Sequence, residues 1–273
     1  MNENWRYLIT GGTGFLGTEL VRQLYVEWGC RKLRVLARNG VGLVRLRERF
    51  PQIEIVSGSV GSRDDVKRAM SRIDGVFHLA AFKFADRAEK EPIVCVQTNV
   101  NGTINVLQES LWTQPQFVLG VSTDKAIEPV GVYGMTKALQ ERMFESYANG
   151  GLVSNYQTGR LGNIFGSSGS VIEKWKEAEP PLFVTDLKAT RFFLTVAQAA
   201  RLIIKSSMDG QRLFVPELKA ARLVDILEVV APGKTTLEVG LRPGEKLHEK
   251  MSEGGISSED APKWTKEELR EII

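Results

Sequence analysis

A glycine-rich segment, TGGTGFLG, separates two stretches of different hydrophobic period near the start of the chain. The stretch RYLIT, which leads into it, is short and β-rich, whereas FLGTELVRQLYVEW has apolar residues at three- and four-residue intervals, as an amphipathic helix does. In a strand-to-helix turn, Gly11, Gly14 and Gly17 would allow the tight turn, the approach of a pyrophosphate and close helix packing. The segment therefore predicts a dinucleotide site at a helix N-terminus, and an ordinary tight turn is the alternative.

The alternation of short β-rich runs with longer helical runs continues along the chain. The predicted strands are RYLIT, KLRVLAR, IEIVSGS, GVFHLAA and QFVLGVST. Repeated strand–helix–strand units predict an α/β fold of the Rossmann type, with a doubly wound parallel sheet. We assign residues 1–160 to a dinucleotide-binding domain. Because the composition changes after about Arg160, we assign residues 161–273 mainly to a smaller C-terminal substrate-binding lobe with an interleaved boundary.

The composition excludes several classes of protein. The 36 Lys and Arg residues nearly balance 33 Asp and Glu residues, and no basic block is present, so no nucleic-acid partner is expected. Cys30 and Cys95 are too few and too unpatterned for a disulfide framework or a metal site. No segment has about 18 uninterrupted apolar residues and the start lacks a leader pattern, so we expect a cytoplasmic protein with no membrane partner.

The end of the second predicted strand bears on the choice of cofactor. An NAD site would offer Asp or Glu to the ribose hydroxyls there, but KLRVLARNG offers Arg38 and Asn39. A guanidinium suits a 2′-phosphate, so NADP is favoured over NAD, and a solvated arginine at a strand end is the alternative. Ser59, after the third strand, lies near the place where an adenine contact is expected.

The segment VSTDKAIEPVGVYGMTK concentrates polar side chains that can exchange protons. Tyr133 and Lys137 are four residues apart, so they share one face of a helix that we predict to begin near Gly134. A nearby ammonium favours the tyrosinate and would lower the pKa of the phenol. Tyr133 would then be suited to taking a proton from a sugar hydroxyl. Tyr and Lys at this spacing also occur on ordinary helices.

Seven segments occur in an order that resembles a known family. They are TGGTGFLG, HLAAFK, TNVNGT, STDKAIEPVGVYGMTK, RLGNIFGSSGSVI, TDLKATRF and LRPGEKLHEKM. Together they resemble the extended short-chain dehydrogenase/reductases that modify nucleotide sugars. More narrowly, they are similar to the soluble inverting UDP-N-acetylglucosamine 4,6-dehydratases of the polysaccharide biosynthesis type. The resemblance runs from Arg6 to about Met251, and STDKA and LRPGEKLHE are its most specific parts.

The resemblance implies an NADP-dependent lyase with a UDP-sugar substrate, assembled as a homo-oligomer. It makes Tyr133 the base for oxidation at C4, with Lys137 tuning it and holding the cofactor ribose. Thr123 would hydrogen-bond the reacting hydroxyl. Asp124 and Lys125 would be the acid and base that remove water across C5 and C6 before hydride returns to C6. One couple for oxidation and another for elimination would explain two lysines and a carboxylate in one segment.

The resemblance also implies which residues bind the two ligands. The implied cofactor-binding residues are Gly11, Thr13, Gly14, Phe15, Leu16, Gly17, Arg38, Asn39, Ser59, Val60, Ala80, Ala81, Lys83, Tyr133 and Lys137. The implied substrate-binding residues are Lys83, Asn163, Ser168, Ser170, Val171, Thr185, Arg191, Arg242 and Glu245. Asn163 and Arg242 would hold the diphosphate together with backbone amides between residues 166 and 170, and Glu245 would meet the uridine ribose.

The chain departs from the family pattern in places that concern the sugar. Ala189 stands where a methionine is usual, and FAD follows Lys83 where a valine-proline pair is common. The chain is also shorter than typical members, and the loss falls in the substrate lobe. These departures leave the identity of the sugar less constrained than the type of reaction.

Two other functions fit part of the pattern. A UDP-sugar 4-epimerase would share the cofactor site and the Tyr133 and Lys137 couple, but it would need no second acid/base couple. A non-catalytic NADP-binding regulatory protein would need neither couple, and Asp124 and Lys125 could be an ordinary surface pair in a loop. The dehydratase roles require a protonated Asp124 and a neutral Lys125, and those states need burial or coupling.

Overall fold

The computed structural model describes residues 1–151, 155–167 and 169–273. The strands are β1 Tyr7–Thr10, β2 Leu33–Ala37, β3 Glu54–Ser57, β4 Gly75–His78, β5 Phe117–Thr123, β6 Tyr156–Leu161, β7 Asn163–Ile164, β8 Leu182–Val184, β9 Thr190–Leu194, β10 Leu213–Phe214, β11 Ala220–Arg222 and β12 Thr236–Glu238. The α-helices are α1 Phe15–Arg22, α2 Gly40–Arg49, α3 Arg63–Met70, α4 Ala85–Lys90, α5 Pro92–Val96, α6 Gly102–Thr113, α7 Val132–Gly150, α8 Val171–Glu177, α9 Val196–Asp209, α10 Leu223–Val230 and α11 Lys266–Ile272. Short π-helical segments, Gln23–Glu27 and Gln97–Asn101, follow α1 and α5, and a 3₁₀ turn covers Asp124–Ala126.

Seven strands form the central sheet, and each pair of neighbours in it is parallel. Their order is β10-β6-β5-β4-β1-β2-β3. The strand order therefore reverses between β1 and β4, and ligands of open α/β sheets bind at the carboxyl ends of the strands beside such a reversal. The predicted α/β fold with a parallel Rossmann-type sheet is confirmed.

The central strands are buried on both faces because helices cover each side of the sheet. Along β1, Tyr7 and Ile9 belong to one apolar cluster and Leu8 belongs to another, since successive side chains point to opposite faces. The first cluster includes side chains of α1, α2 and α9, and the second includes side chains of α3, α6 and α7. This two-sided burial explains why the strand segments are continuously apolar rather than alternating.

The C-terminal part of the chain contributes to two regions. Helix α9 packs against α1, and β10 pairs with β6 at the edge of the central sheet. By contrast, β7, β9 and β11 form a three-stranded sheet, β8 pairs with β12, and α8, α10 and α11 share a separate apolar cluster. The chain thus returns to the central sheet after Arg160, and the division into residues 1–160 and 161–273 stays a prediction.

The connection from β5 to α7 brings the start of this helix against the 3₁₀ turn. Helix α7 begins at Val132, two residues before the expected position, and the Val132 amide donates a hydrogen bond to Glu89 Oε1 at 2.7 Å. A Cβ atom at Gly134 would lie 2.4 Å from the Lys125 carbonyl oxygen. A glycine at this position therefore lets α7, and Tyr133 with it, pack directly on the turn.

Candidate active site

A cavity of about 910 Å³ opens at the carboxyl ends of the central strands, a size within the range of small-molecule sites. It is lined by every predicted cofactor-binding residue and by the predicted substrate-binding residues that the structure describes. Ser168 lies outside the described residues. Thr123, Lys125, Tyr133 and Lys137 also line the cavity, whereas Asp124 is fully buried beside it.

The glycine-rich turn has the geometry that a dinucleotide requires. Gly11 has a φ of +70°, which favours glycine. A Cβ atom at Gly17 would lie 2.4 Å from the Gly11 carbonyl oxygen, so the helix packs on the turn without room for a side chain. Gly14 precedes α1 and offers no side-chain cap, which leaves the first amides of the helix available to an anion. These residues fit a bound pyrophosphate.

The polar residues after β2 and β3 have different local roles. Arg38 is exposed and lines the cavity. The Asn39 side chain caps α2, since its Oδ1 accepts a hydrogen bond from the Gly42 amide at 3.0 Å. The Ser59 hydroxyl accepts one from the Gly61 amide at 3.2 Å. Arg38 is therefore the member of this group that is best placed to meet a phosphate.

Asp124 forms a close polar group with its two chain neighbours at the end of β5. Lys125 Nζ donates to Asp124 Oδ1 at 3.0 Å, and Thr123 Oγ1 donates to the same oxygen at 2.8 Å. Asp124 is 0% exposed, and its Oδ2 has no hydrogen-bond partner among the described residues. Burial raises the pKa of Asp124 although Lys125 opposes the change. Burial thus makes the protonated form of this carboxyl, which an acid needs, more accessible than in a free aspartate.

The Lys125 amine lies between two carboxylates. Burial disfavours its ammonium form, but Asp124 and Glu249 outweigh burial, and the pKa of Lys125 is raised. A base role requires the neutral amine. Movement of one proton from Lys125 Nζ to Asp124 would convert the ion pair into a neutral amine and a neutral acid. The neutral amine and the neutral acid that the dehydratase roles require would therefore both result from one proton transfer along the hydrogen bond between Lys125 and Asp124.

Tyr133 lies at the start of α7, close to this pair. Burial raises the pKa of its hydroxyl to about 12, and the positive charge of Lys125 is the largest opposing influence. The sequence predicted that Lys137 would lower the pKa of this phenol, and that prediction is wrong in direction, because burial outweighs the nearby positive charge. Lys137 Nζ instead donates to the Val121 carbonyl and to Gln140 Oε1, both at 2.7 Å, and burial lowers the pKa of Lys137 to about 8. Lys125 thus acts on Tyr133 of the predicted oxidation couple as well as on Asp124 of the predicted elimination couple.

Two of the predicted substrate-binding residues lie near the acid/base pair. Asn163 accepts a hydrogen bond from Lys125 Nζ at 3.4 Å and donates one to the Phe192 carbonyl at 3.2 Å. Arg191 Nη1 donates to the carbonyls of Thr190 and Leu247 at 2.8 and 2.9 Å. The sequence did not indicate the contact between Asn163 and Lys125, and the diphosphate role of Asn163 stays a prediction.

The other predicted substrate-binding residues come from separate elements around the cavity. The Arg242 backbone amide, and not its guanidinium, donates to Glu245 Oε2 at 3.2 Å. Ser170 caps α8, which begins at Val171. Thr185 follows β8, and Lys83 Nζ lies 5.4 Å from the centroid of the Phe84 ring. The roles assigned to these residues stay predictions.

Glu249 is the residue of this site that sequence reasoning missed. It is 2% exposed and lines the cavity. Its Oε1 lies 3.6 Å from Lys125 Nζ, and its Oε2 lies 2.9 Å from Lys246 Nζ. Burial alone would raise the pKa of Glu249, but the positive charges of Lys125, Lys246 and Arg191 together outweigh burial and lower it. The available signal was the segment LRPGEKLHEKM, in which Glu249 is the second glutamate.

The chain is similar to known proteins over nearly its whole length. A family model described as a polysaccharide biosynthesis protein matches residues 7–268. A UDP-N-acetylglucosamine 4,6-dehydratase (inverting) of Campylobacter jejuni is 31% identical over 264 residues, covering 93% of this chain and 78% of that protein. A UDP-glucose 4-epimerase of Rickettsia canadensis is 30% identical over 276 residues, covering 94% of this chain and 79% of that protein.

The solved structure of Pen from Bacillus thuringiensis has a similar fold. It superimposes with a TM-score of 0.91 at 28% sequence identity, covering 99% of this chain and 97% of Pen. Within the ranges 1–151, 155–167 and 169–273, no helix combines the length and the apolar character that a membrane span requires.

Proposed function

Because the chain belongs to the polysaccharide biosynthesis protein family, we propose that it is a nucleotide-sugar 4,6-dehydratase, a lyase that uses NADP. The proposed substrate is UDP-N-acetylglucosamine or a close UDP-sugar. The similarity to the Campylobacter jejuni dehydratase supports this choice. In the proposed reaction, C4 is oxidised, water is lost across C5 and C6, and C6 is reduced.

The glycine-rich turn and Arg38 would hold the cofactor. The first amides of α1 would meet its pyrophosphate, and the Arg38 guanidinium would meet the 2′-phosphate. When bound, a nicotinamide dinucleotide supplies a reversible hydride acceptor, so the overall reaction needs no external oxidant.

Tyr133 would take the proton from the C4 hydroxyl. The base would be its tyrosinate form, which burial disfavours and which the charge of Lys125 stabilises most. The Thr123 hydroxyl would orient the reacting oxygen. Lys137 would hold the cofactor ribose, and its amine is fixed by the Val121 carbonyl and Gln140.

The acid/base pair of Asp124 and Lys125 is the observation that carries the proposal. A ketone at C4 acidifies the hydrogen on C5, and a neutral Lys125 Nζ could then remove that proton. The proton held by Asp124 would go to O6, which leaves as water. Because Asp124 is fully buried, that proton would pass through the Thr123 hydroxyl, which bonds Asp124 and lines the cavity.

A UDP-sugar 4-epimerase is the second candidate, and the similarity to the Rickettsia canadensis epimerase favours it. An epimerase would use Tyr133 in the same way. It has no elimination step, however, so a buried second couple beside the tyrosine would have no chemical task. The pair of Asp124 and Lys125 therefore favours the dehydratase.

Product masses distinguish the candidate functions. The purified protein would be incubated with UDP-N-acetylglucosamine and the nucleotide sugars followed by mass spectrometry. A dehydratase yields a product that has lost one water, and an epimerase yields an isomer of unchanged mass. No conversion, with NADP still bound, would support a non-catalytic NADP-binding protein instead.

NADP should bind more tightly than NAD, by on the order of 10- to 100-fold, because a charge-assisted contact between Arg38 and the 2′-phosphate is lost with NAD. The change Arg38→Asp should erase or reverse this difference, and calorimetric titration with each cofactor would measure it. Arg45→Asp is the matched control, since Arg45 is exposed on the neighbouring helix α2. Equal affinities of the unmodified protein for the two cofactors would contradict the NADP assignment.

Arg242→Ala should weaken the binding of UDP by about tenfold or more, because a planar guanidinium pairs well with diphosphate oxygens. Its melting temperature should change little, since Arg242 is exposed. Titration with UDP measures the effect, and Arg270→Ala on α11 is a control that should bind normally. If Arg242→Ala bound UDP as tightly as the unmodified protein, the diphosphate would lie elsewhere.

A further inference from the structure

Glu249 lies in an irregular segment that is fixed to the rest of the structure. Its amide donates to Ser258 Oγ at 2.8 Å, and the Ser258 amide donates to the Glu249 carbonyl at 2.7 Å. The Ser258 hydroxyl also lies 2.6 Å from Thr190 Oγ1 on β9. A carboxylate held in a buried position is costly unless it is paired with a positive charge. The position of Glu249 is therefore explained by the charges that it faces.

The nearest of those charges are two amines, that of Lys125 in the turn after β5 and that of Lys246, and Arg191 is a further positive charge. Glu249 Oε1 lies 3.6 Å from Lys125 Nζ, and Glu249 Oε2 lies 2.9 Å from Lys246 Nζ. Lys246 Nζ also donates to the Ile127 carbonyl at 2.7 Å, immediately after the turn. The segment around Glu249 thus contacts the turn at two points, and it places a second carboxylate near the Lys125 amine in addition to that of Asp124.

We propose that Glu249 is a positioning residue for the elimination step: together with Asp124 it holds the Lys125 amine at the cavity wall and sets the pH at which this amine can accept the C5 proton. The inference rests on the proposed function, because it assigns Glu249 to one half of that reaction. Glu249 acts through Lys125 and is neither the acid nor the base itself.

The charges around Lys125 determine the direction of the effect. The groups that face this amine are Asp124 of the same turn, Glu249, Arg191 of β9, Tyr133 of α7 and the neutral Asn163 of β7. Asp124 and Glu249 stabilise the ammonium, whereas Arg191 opposes it. Loss of the Glu249 charge would leave Asp124 as the remaining anion, so the neutral amine would form at lower pH.

Acetylation of Lys125 tests this coupling without any sugar. The protein would be treated with limiting acetic anhydride across a pH series, and the fraction modified at Lys125 read by mass spectrometry of its peptides. Only the neutral amine reacts. In Glu249→Gln the midpoint of the pH curve should fall by about one pH unit or more, because a carboxylate within 4 Å is removed. Glu249→Asp, which restores the charge, should recover most of the shift.

Glu128→Gln is the matched control. Glu128 is an exposed carboxylate three residues from Lys125 that pairs with Lys250 at 2.9 Å, so its removal should not move the midpoint. A purely structural role of Glu249 would lower the melting temperature but leave the midpoint in place. An unchanged midpoint in Glu249→Gln, or an equal shift in Glu128→Gln, would overturn the proposal.

Exchange of the C5 hydrogen with deuterated solvent then tests the catalytic consequence. Its pH profile should move to lower pH in Glu249→Gln, in step with the acetylation curve. A shifted acetylation curve with an unshifted exchange profile would refute the role of Glu249 in elimination. Failure of the unmodified protein to convert any nucleotide sugar would refute the proposed function, and the acetylation curves would still report separately whether Glu249 and Lys125 are coupled.

Discussion

Lys125→Met should stop the loss of water while NADP still binds. Oxidation at C4 should also become slower, because Lys125 is the cation that most stabilises the Tyr133 tyrosinate, but it should be affected less than dehydration. Methionine keeps most of the length of the side chain but cannot take the C5 proton. The dehydration rate should fall by a factor of about 10² to 10⁴, the usual contribution of a general base. Reduced cofactor should accumulate, and the C5 hydrogen should cease to exchange with deuterated solvent. Absorbance of the reduced nicotinamide and product masses would measure the two halves of the reaction separately.

Lys250→Met provides the control for this substitution. Lys250 lies in the same region of the molecule, but its amine is partly exposed and pairs with Glu128 at 2.9 Å. Its replacement should leave dehydration within about threefold of the unmodified rate, because exposed pairs contribute little. If Lys125→Met also dehydrated the substrate within about threefold, Lys125 could not be the C5 base.

The pH dependence of C5 exchange follows from the protonation of Lys125. Two carboxylates raise the pKa of Lys125 despite burial, so the amine is mostly protonated at neutral pH. A base must be neutral, and its neutral fraction grows as pH rises. The exchange rate should therefore still be increasing at about pH 9, below the ordinary pKa range of a lysine. A rate that was flat from neutral pH upward would indicate a base with a lower pKa.

Tyr133→Phe should block the reaction at an earlier step than Lys125→Met does, with little reduced cofactor formed at all. Phenylalanine preserves the ring packing but removes the hydroxyl whose proton exchange with C4 starts the sequence. We expect a decrease of about 10² to 10⁴ in both C4 oxidation and dehydration. Single-turnover measurement of cofactor reduction distinguishes this defect from that of Lys125→Met, in which reduction is slower but precedes a blocked elimination.

Tyr147→Phe is the matched control on the same helix. Tyr147 packs against Tyr156 with ring centroids 5.6 Å apart, away from the acid/base pair. Its replacement should leave cofactor reduction unchanged. Rapid cofactor reduction in Tyr133→Phe would mean that another group accepts the C4 proton.

Much of the fold could be predicted because its signals are local. The first five strands of the central sheet and the helices between them follow from hydrophobic period and turn residues. The edge strand β10 is harder, since Leu213–Phe214 is too short for a periodic pattern. Helix α9 is clearly amphipathic in sequence, but nothing local indicates that its apolar face packs against α1 rather than in the C-terminal lobe.

In the candidate site, too, the residues with local sequence signals could be predicted and the long-range contacts could not. Thr123, Lys125, Tyr133 and Lys137 could be grouped from the sequence because they lie within fifteen residues of one another on consecutive elements. The contact with Glu249 spans more than a hundred residues, and a charge matters to the chemistry only once burial has removed it from water. Protonation states depend on these long-range contacts, so the sequence alone could not assign them.

A chain that is still being synthesised carries Lys125 well before Glu249 has left the ribosome. The strands β1 to β6 and the glycine-rich turn are complete by then, and domains generally fold from the N-terminal side as they emerge. The turn after β5 therefore gains its second carboxylate only once the chain has been synthesised as far as Ser258 and the segment around Glu249 has docked. A nascent chain would therefore present Lys125 with Asp124 as its nearest carboxylate until synthesis is almost complete, and the paired surroundings of this amine are among the last features of the molecule to form.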